Sequence, residues 1–525
     1  MTTVNNDIIA SARQMNFESC RAIPVDHPSL AGHFPGAPVV PGVVILDEVA
    51  AALAEWRPGC QLTGVRAVKF LLPLKPEQRF TICLTPANSA GMEVDFICRV
   101  EDRTIVEGRL QSSRVLSKKV AATPSEAPAF NPRPYDPCLA QWLQGYPASL
   151  FSERLYQSIE LMERYSIDLA IDLLARLDVI DQLDEWRSPR KLCQALSYQP
   201  RFSSVLDWLL KRLLETGCLE ARTDGDSRAY RLQHALWQPQ LAHLRAIGLD
   251  IDSANAPTLD LLDQAANLYP ALARGEQNAE QGLFEPQAIP LWLNYFQNEN
   301  LTYAVNNWVG AVLVAERLST RSKLRILEIG AGAGSASEIL LRWFDERGLL
   351  PRIERYLITE PNAFFRRRGE RKLSNQYRDL PLEWGALDIN SAWDSQGVSG
   401  GEFNLVYGVN VLHVAKDLLF SLNQARGVLA HDGCLVIGEC VRPYVDQPIY
   451  PELIFQTLDS FSDVNTDPEI RPNPGFLTAH QWRRAFTGAG FERIEVAPPV
   501  DRIREIYSHF FTAAICGQDA RTAND

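Results

Sequence analysis

The chain has 525 residues, 46% hydrophobic and 22% charged, a globular composition with room for three or four domains. Its formal net charge of −12 implies no general affinity for nucleic acid, so an acidic partner would have to dock on a local basic spot. Its ten cysteines show no CxxC pair or metal-ligand spacing, the N-terminus lacks a signal pattern, and no apolar run is long enough to span a bilayer. The expectation is a cytoplasmic protein with reduced thiols, without a metal site and off the membrane.

Residues 23–56 read IPVDHPSLAGHFPGAPVVPGVVILDEVAAALAEW, a glycine- and proline-rich loop running into an alanine-rich amphipathic helix. Pro35, Pro38 and Pro41 pin the path of the loop. Apolar strand-like runs follow, among them RFTICLTPA and MEVDFICRVED. The GHFPGAPVVPG segment resembles, nearly residue for residue, the 3-hydroxyacyl-carrier-protein dehydratases of the hotdog fold, including those of aryl-polyene clusters. The resemblance implies that His33 removes the C2 proton and that Asp47, on the following helix, protonates the departing hydroxyl. Glu48 is turned about 100° away from that position, and His27 reads as a loop or packing histidine. In related dehydratases histidine and acid meet across a subunit interface, so the resemblance also implies a homodimer. The rival expectation is a hotdog kept only for dimerisation or carrier-protein binding.

Residues 118–135 are rich in proline, alanine and charge, have no periodicity, and read as a linker after a hotdog domain at 1–117. Helical periodicity begins near Cys138. Residues 136–236 resemble the winged-helix dimerisation module that precedes many small-molecule methyltransferases. The helix expected at Ser203–Glu215 carries Asp207 and Glu215 against Lys211 and Arg212, with Arg201 just before it. That near balance is poor for phosphates, so no nucleic-acid partner is expected. Residues 237–316 resemble a helical lid, where Tyr303, Asn306 and Asn307 would lie over a substrate or simply pack on the core.

From Arg325 the chain reads RILEIGAGAGSAS, an apolar strand breaking into glycines before a helix. Gly330, Gly332 and Gly334 would let the backbone approach a nucleoside cofactor closely. Glu328 could meet the ammonium of S-adenosylmethionine. Glu360 ends the next strand, where ribose hydroxyls are held, and Asp388, in the third, would take an adenine amine. Three ordered strand ends of this kind point to an S-adenosylmethionine domain over 317–525.

FNLVYGVNVLHVAKDL, then ARGVLAHDGCLVIGEC, resemble the fourth and fifth strands of class I methyltransferases, most of all the C-methyltransferase domains of polyketide synthases. The resemblance makes Asn410 a cofactor-site residue and His413 with Glu439 a catalytic dyad. A histidine titrates near neutrality, and a carboxylate on its second nitrogen fixes the tautomer and raises its basicity. The implied substrate is a thioester-bound acyl group on an acyl carrier protein, for which the basic run Phe364–Lys372 is a docking candidate or an ordinary solvated face. The alternative is a small-molecule O-methyltransferase, a family that usually shows Asp-Trp-Asp after the histidine, where this chain has HVAKD. The expected fold class is multidomain: an α+β hotdog, a helical and winged-helix region, then a Rossmann-like α/β class I methyltransferase.

Overall fold

A computed structural model of the chain describes residues 17–25, 27–30, 39–56, 60–87, 93–114, 126–224, 227–277, 279–284 and 288–519. It divides into two compact units, Met1–Thr123 and Pro124–Asp525. Among the described residues no helix is long and apolar enough to cross a membrane.

In the first unit, β1 (Phe17–Arg21), α1 (Gly42–Trp56), β2 (Cys60–Phe70), β3 (Phe80–Pro86), β4 (Glu93–Val100) and β5 (Arg103–Arg114) follow in order. The strands form an antiparallel sheet in the order β1-β3-β4-β5-β2. Alternation along β4 sends Val94, Phe96 and Cys98 to one buried face. The matching stripe of α1 is Val44, Ile45, Val49, Ala52 and Leu53, and the two faces close a single small core. A helix cradled by an antiparallel sheet is the hotdog arrangement.

The second unit opens with α2 (Glu153–Arg176), α3 (Pro189–Ala195), α4 (Phe202–Leu214) and the hairpin of β6 (Leu219–Asp224) with β7 (Ser227–Leu232). Next come α5 (Leu241–Ile251), α6 (Ala256–Arg274), α7 (Ala279–Phe284), α8 (Ile289–Tyr295) and α9 (Leu301–Leu318). The α/β part then runs β8 (Leu324–Ile329), α10 (Ser335–Glu346), β9 (Ile353–Thr359), α11 (Ala363–Gln376), β10 (Leu382–Gly385), β11 (Phe403–Val409), α12 (Leu418–Val428) and β12 (Leu429–Cys440). It closes with α13 (Glu452–Phe455), α14 (Asp459–Ser462), α15 (Ala479–Gly488), β13 (Phe491–Ala497), α16 (Val500–Arg504) and β14 (Thr512–Asp519). The sheet order is β10-β9-β8-β11-β12-β14-β13, parallel from β10 to β12, with β14 antiparallel to both neighbours. The chain reverses direction across the sheet between β8 and β11, and ligands of open α/β sheets bind beyond the strand ends at such a point. This is the class I methyltransferase fold.

Two features of the packing bear on how the second unit is organised. The second unit begins inside the expected linker, because residues 128–136 are tied to it. The carbonyl of Pro128 accepts from Arg164, Arg133 N donates to Glu160, and Tyr507 Oη donates to the Pro134 carbonyl. The segments expected as winged helix, lid and catalytic domain also share one continuous core from Leu139 to Cys516. The helix read as a possible DNA reader faces inward. Arg212 is fully buried, paired with Glu163 and donating to the Pro448 carbonyl, while Trp208 donates to Glu452 at 2.7 Å. Lys211 is spent on Asp207 at 2.8 Å.

Candidate active site

Asn410 immediately follows β11 and holds a left-handed backbone, φ 52°, that turns the chain sharply beyond the strand end. Its amide N donates to the Gly438 carbonyl and its Oδ1 accepts from Cys440 N at 3.1 Å, clamping the turn to β12. His413 sits in the single helical turn that follows, Leu412–Val414, and is buried. Glu439, completely buried in β12, does two things at once. Its Oε1 accepts from Val411 N and Leu412 N, and its Oε2 lies 2.8 Å from His413 Nδ1. The carboxylate therefore fixes both the backbone carrying the histidine and the ring itself. With a proton on Nδ1 shared with Glu439, Nε2 is the basic nitrogen.

Arg471 completes this support and was not singled out by sequence. It is buried, donates to the carbonyls of His413 and Ala415, and burial pulls its guanidinium down to about 10. Phe455, Phe461 and Phe476 pack around the imidazole with centroids 4.5–6.3 Å away. Phe455 and Phe461 come from a segment in which no motif was read, and Phe476 from a stretch read only as leading into the last helix, so their convergence into one wall was not legible.

Two cavities meet at this turn. One, of about 430 Å³, lies over the glycine loop and is lined by Gly330, Gly332, Glu360, Asp388 and Asn410, among others. The other, of about 160 Å³, is lined by His413 with Phe455, Phe476, Asn306 and Cys440. Phe296, Tyr303, Asn410, Val414, Phe455 and Leu458 line both, so the two cavities adjoin across a shared wall.

The first cavity fits a nucleoside cofactor. At Gly332, φ is 56° and an added Cβ would meet nothing within 4 Å, because that direction is open cavity. The same residue's N donates to Glu360 Oε2 at 2.9 Å, and Asn362 N donates to Oε1. Burial raises the Glu360 carboxyl above its usual range, the two backbone donors opposing it. Asp388 lies in the loop beyond β10, accepting from Asn390 N and Ser391 Oγ. Gly334, φ 81°, starts α10, and Gly330 faces Val411.

Glu328 stands apart from the expectation that it meets a cofactor ammonium. It is buried, does not line the cavity, and accepts from Tyr356 Oη on the neighbouring strand. Its second oxygen has no hydrogen-bond partner, and burial pushes the carboxyl up to about 7 against the hydrogen bond from Tyr356. Of the lid candidates, Tyr303 lines both cavities, 3.0 Å from Ser335 Oγ. Asn306 lines the smaller one with its amide committed to Thr512 and Cys440, and Asn307 lines neither.

In the first unit His33 lies outside the described residues. Asp47 is exposed on α1 and makes no ion pair or hydrogen bond among them. Glu48, one step on, pairs with Arg21 at 3.2 Å. His27 is a loop histidine, 2.6 Å from Ser29 Oγ. No group of three metal-ligating side chains occurs among the described residues.

Fold and site together define an enzyme with a dehydratase-like N-terminal domain followed by a class I methyltransferase fold. Residues 10–109 match the ApeI-like family, described as ApeI dehydratase. A crystal structure of CurJ carbon methyltransferase is similar, with 25% identity and a TM-score of 0.60 over 73% of this chain and 98% of that one. DszA carbon methyltransferase shares the fold at 22% identity, with a TM-score of 0.56 over 77% of this chain and all of that one. Among curated proteins, polyketide synthase PksR of Bacillus subtilis is 26% identical over 45% of this chain but only 9% of its own length. The chain thus spans about a tenth of such relatives.

Proposed function

We propose that the second unit transfers a methyl group from S-adenosylmethionine to the α-carbon of a carrier-bound acyl thioester, and that the first dehydrates a 3-hydroxyacyl thioester as a homodimer. The observation that carries the first part is the buried His413–Glu439 pair, 2.8 Å apart, at the junction of a nucleoside-sized cavity and an apolar one.

A carbon between a ketone and a thioester becomes nucleophilic only after losing a proton. His413 Nε2 takes that proton, and Glu439, already hydrogen-bonded to Nδ1, stabilises the imidazolium that forms. Gly332, Glu360, Asp388 and Asn410 would hold the cofactor, which when bound supplies an electrophilic methyl group. Phe296, Phe455 and Phe476 exclude water from the acyl chain, which sharpens electrostatic contacts at the dyad.

For the first unit, Asp47 is an acid held at the surface and unpaired among the described residues. Phe70 and Leu71, at the end of edge strand β2 and just past it, are exposed and apolar, the kind of surface a second copy covers. His33 of one copy would face Asp47 of the other. The test is to incubate the protein with S-adenosylmethionine and a panel of acyl thioesters and phenols, then locate the new methyl group by mass spectrometry. Methylation at the α-carbon of a 3-ketoacyl thioester is expected, whereas methylation confined to phenol oxygens would refute the reading.

A further inference from the structure

Outside the cofactor cavity, between α10 and α11, runs a cleft of about 860 Å³. Its α11 wall includes Phe364, Arg367, Arg368, Arg371, Lys372 and Asn375, one helical stripe at three- and four-residue spacing. Glu370, the acid of this helix, is not on that wall. Opposite, Glu338 is already engaged by Lys372 at 2.7 Å and by Asn298 at 2.9 Å, and Arg342 pairs with Glu346 at 3.7 Å. Arg367, Arg368 and Arg371 are exposed and make no ion pair or hydrogen bond among the described residues.

Two features separate this stripe from an ordinary solvated face. The cations at 367 and 371 are like charges four residues apart, which disfavours the helix unless an anion compensates, while Lys372, four residues after Arg368, already has Glu338. The chain as a whole carries −12, so this is a local concentration against the general sign. The cleft also adjoins the chemistry. Ala333 and Ser335 line both it and the cofactor cavity, and Phe296 lines the cleft, the cofactor cavity and the chamber of His413.

We infer that this cleft is the docking site of the acidic acyl carrier protein. The three free guanidinium groups meet its carboxylates and the phosphate at the root of its pantetheine arm, and the arm passes Phe296 to reach His413. This deepens the α-carbon methylation reading and rests on it. Rim charges of this kind act on encounter and on salt dependence more than on the chemical step.

The experiment compares wild type with the triple variants Arg367→Ala/Arg368→Ala/Arg371→Ala and Arg367→Lys/Arg368→Lys/Arg371→Lys. The probes are a discrete acyl carrier protein loaded with a 3-ketobutyryl group, 3-ketobutyryl-coenzyme A, and the phosphate-free 3-ketobutyryl-pantetheine. The alanine triple should weaken carrier-protein binding, read by fluorescence anisotropy, and raise its KM by about tenfold or more. The lysine triple should stay within about threefold of wild type and lose the difference at high salt. KM for the pantetheine thioester and the Kd for S-adenosylmethionine should stay within about twofold, since these side chains lie outside the dyad and the cofactor cavity. If wild type binds the loaded carrier but does not methylate it, the catalytic reading falls while loss of binding in the alanine triple still supports the docking site. Unchanged carrier affinity in the alanine triple, an equal loss with the pantetheine thioester, a loss confined to coenzyme A, or no carrier binding by wild type would each overturn it.

Discussion

The two units are proposed to use the same chemical pairing, a histidine and a carboxylic acid, and their acids stand in opposite surroundings. In the second unit one fold supplies everything. Glu439 spends three hydrogen bonds on the His413 turn, Arg471 grips its carbonyls from below, and three phenylalanines close over the ring. In the first unit the acid is exposed and unpartnered among the described residues, while its neighbour Glu48 is tied to Arg21. The difference teaches where the constraint comes from. A long, continuous core can bury and pre-orient a dyad within one chain, whereas the small helix-on-sheet core leaves Asp47 exposed on α1, and the proposal is that a second copy completes its site.

The sharpest way to break this contrast is to remove the bases one at a time. His413→Ala should lower kcat for methyl transfer by about 10²- to 10⁴-fold, the usual worth of a positioned general base, with S-adenosylmethionine affinity within about twofold by calorimetry. Near-native turnover would remove the dyad from the mechanism. Glu439→Gln tests whether the pair acts as a unit. A glutamine amide facing Nδ1 would leave the proton on Nε2, so a loss of about 10²-fold or more is expected in single-turnover rates.

Gly332→Val comes next. It puts a β-branched side chain at φ 56° and into open cavity, so cofactor affinity should fall by about 10²-fold or more while dehydration persists. Asp47→Asn should do the reverse, abolishing dehydration with methyl transfer unchanged. Mixing it with His33→Ala subunits should restore part of the activity if the two residues meet between copies. No recovery in mixtures of a protein whose wild type dehydrates would refute the dimeric site.

The smallest effect is on stability. Because Glu328 has a raised carboxyl in the fold, it favours the native state below about 4.5 and loses that contribution as pH climbs to about 7. In thermal melts, the stability of Glu328→Gln relative to wild type should therefore rise by up to about 3 kcal/mol across that window and level off above it. A gap independent of pH would show that Glu328 titrates normally.

Much of this was legible because linear motifs follow chain order through strand–turn–helix units. Gly330, Gly332, Glu360, Asp388, Asn410, His413 and Glu439 were all placed by strand-end position, and all line the adjoining cavities or, for Glu439, hold the turn behind them, while Gly334 starts α10 and lines neither. Glu328 was not legible. β8 is buried on both faces, so no polar–apolar alternation tells which way its acid turns, and the neighbouring Tyr356 captures it. The aromatic wall and Arg471 were missed for another reason: they converge from separate turns between residues 455 and 476, and only packing assembles them. Tyr135, read as linker, packs tilted against Tyr156, 6.2 Å between centroids, a contact that no linear pattern announces.

The central claim is that His413 takes a proton from carbon before any methyl group moves. Hydrogen–deuterium exchange at C2 of a 3-ketoacyl thioester, followed by mass spectrometry in the absence of S-adenosylmethionine, tests it without requiring transfer. Wild type should accelerate the exchange above the buffer rate, and His413→Ala should return it to that rate. Acceleration that survives unchanged in His413→Ala, or a wild type that methylates carbon without accelerating exchange, would contradict the account.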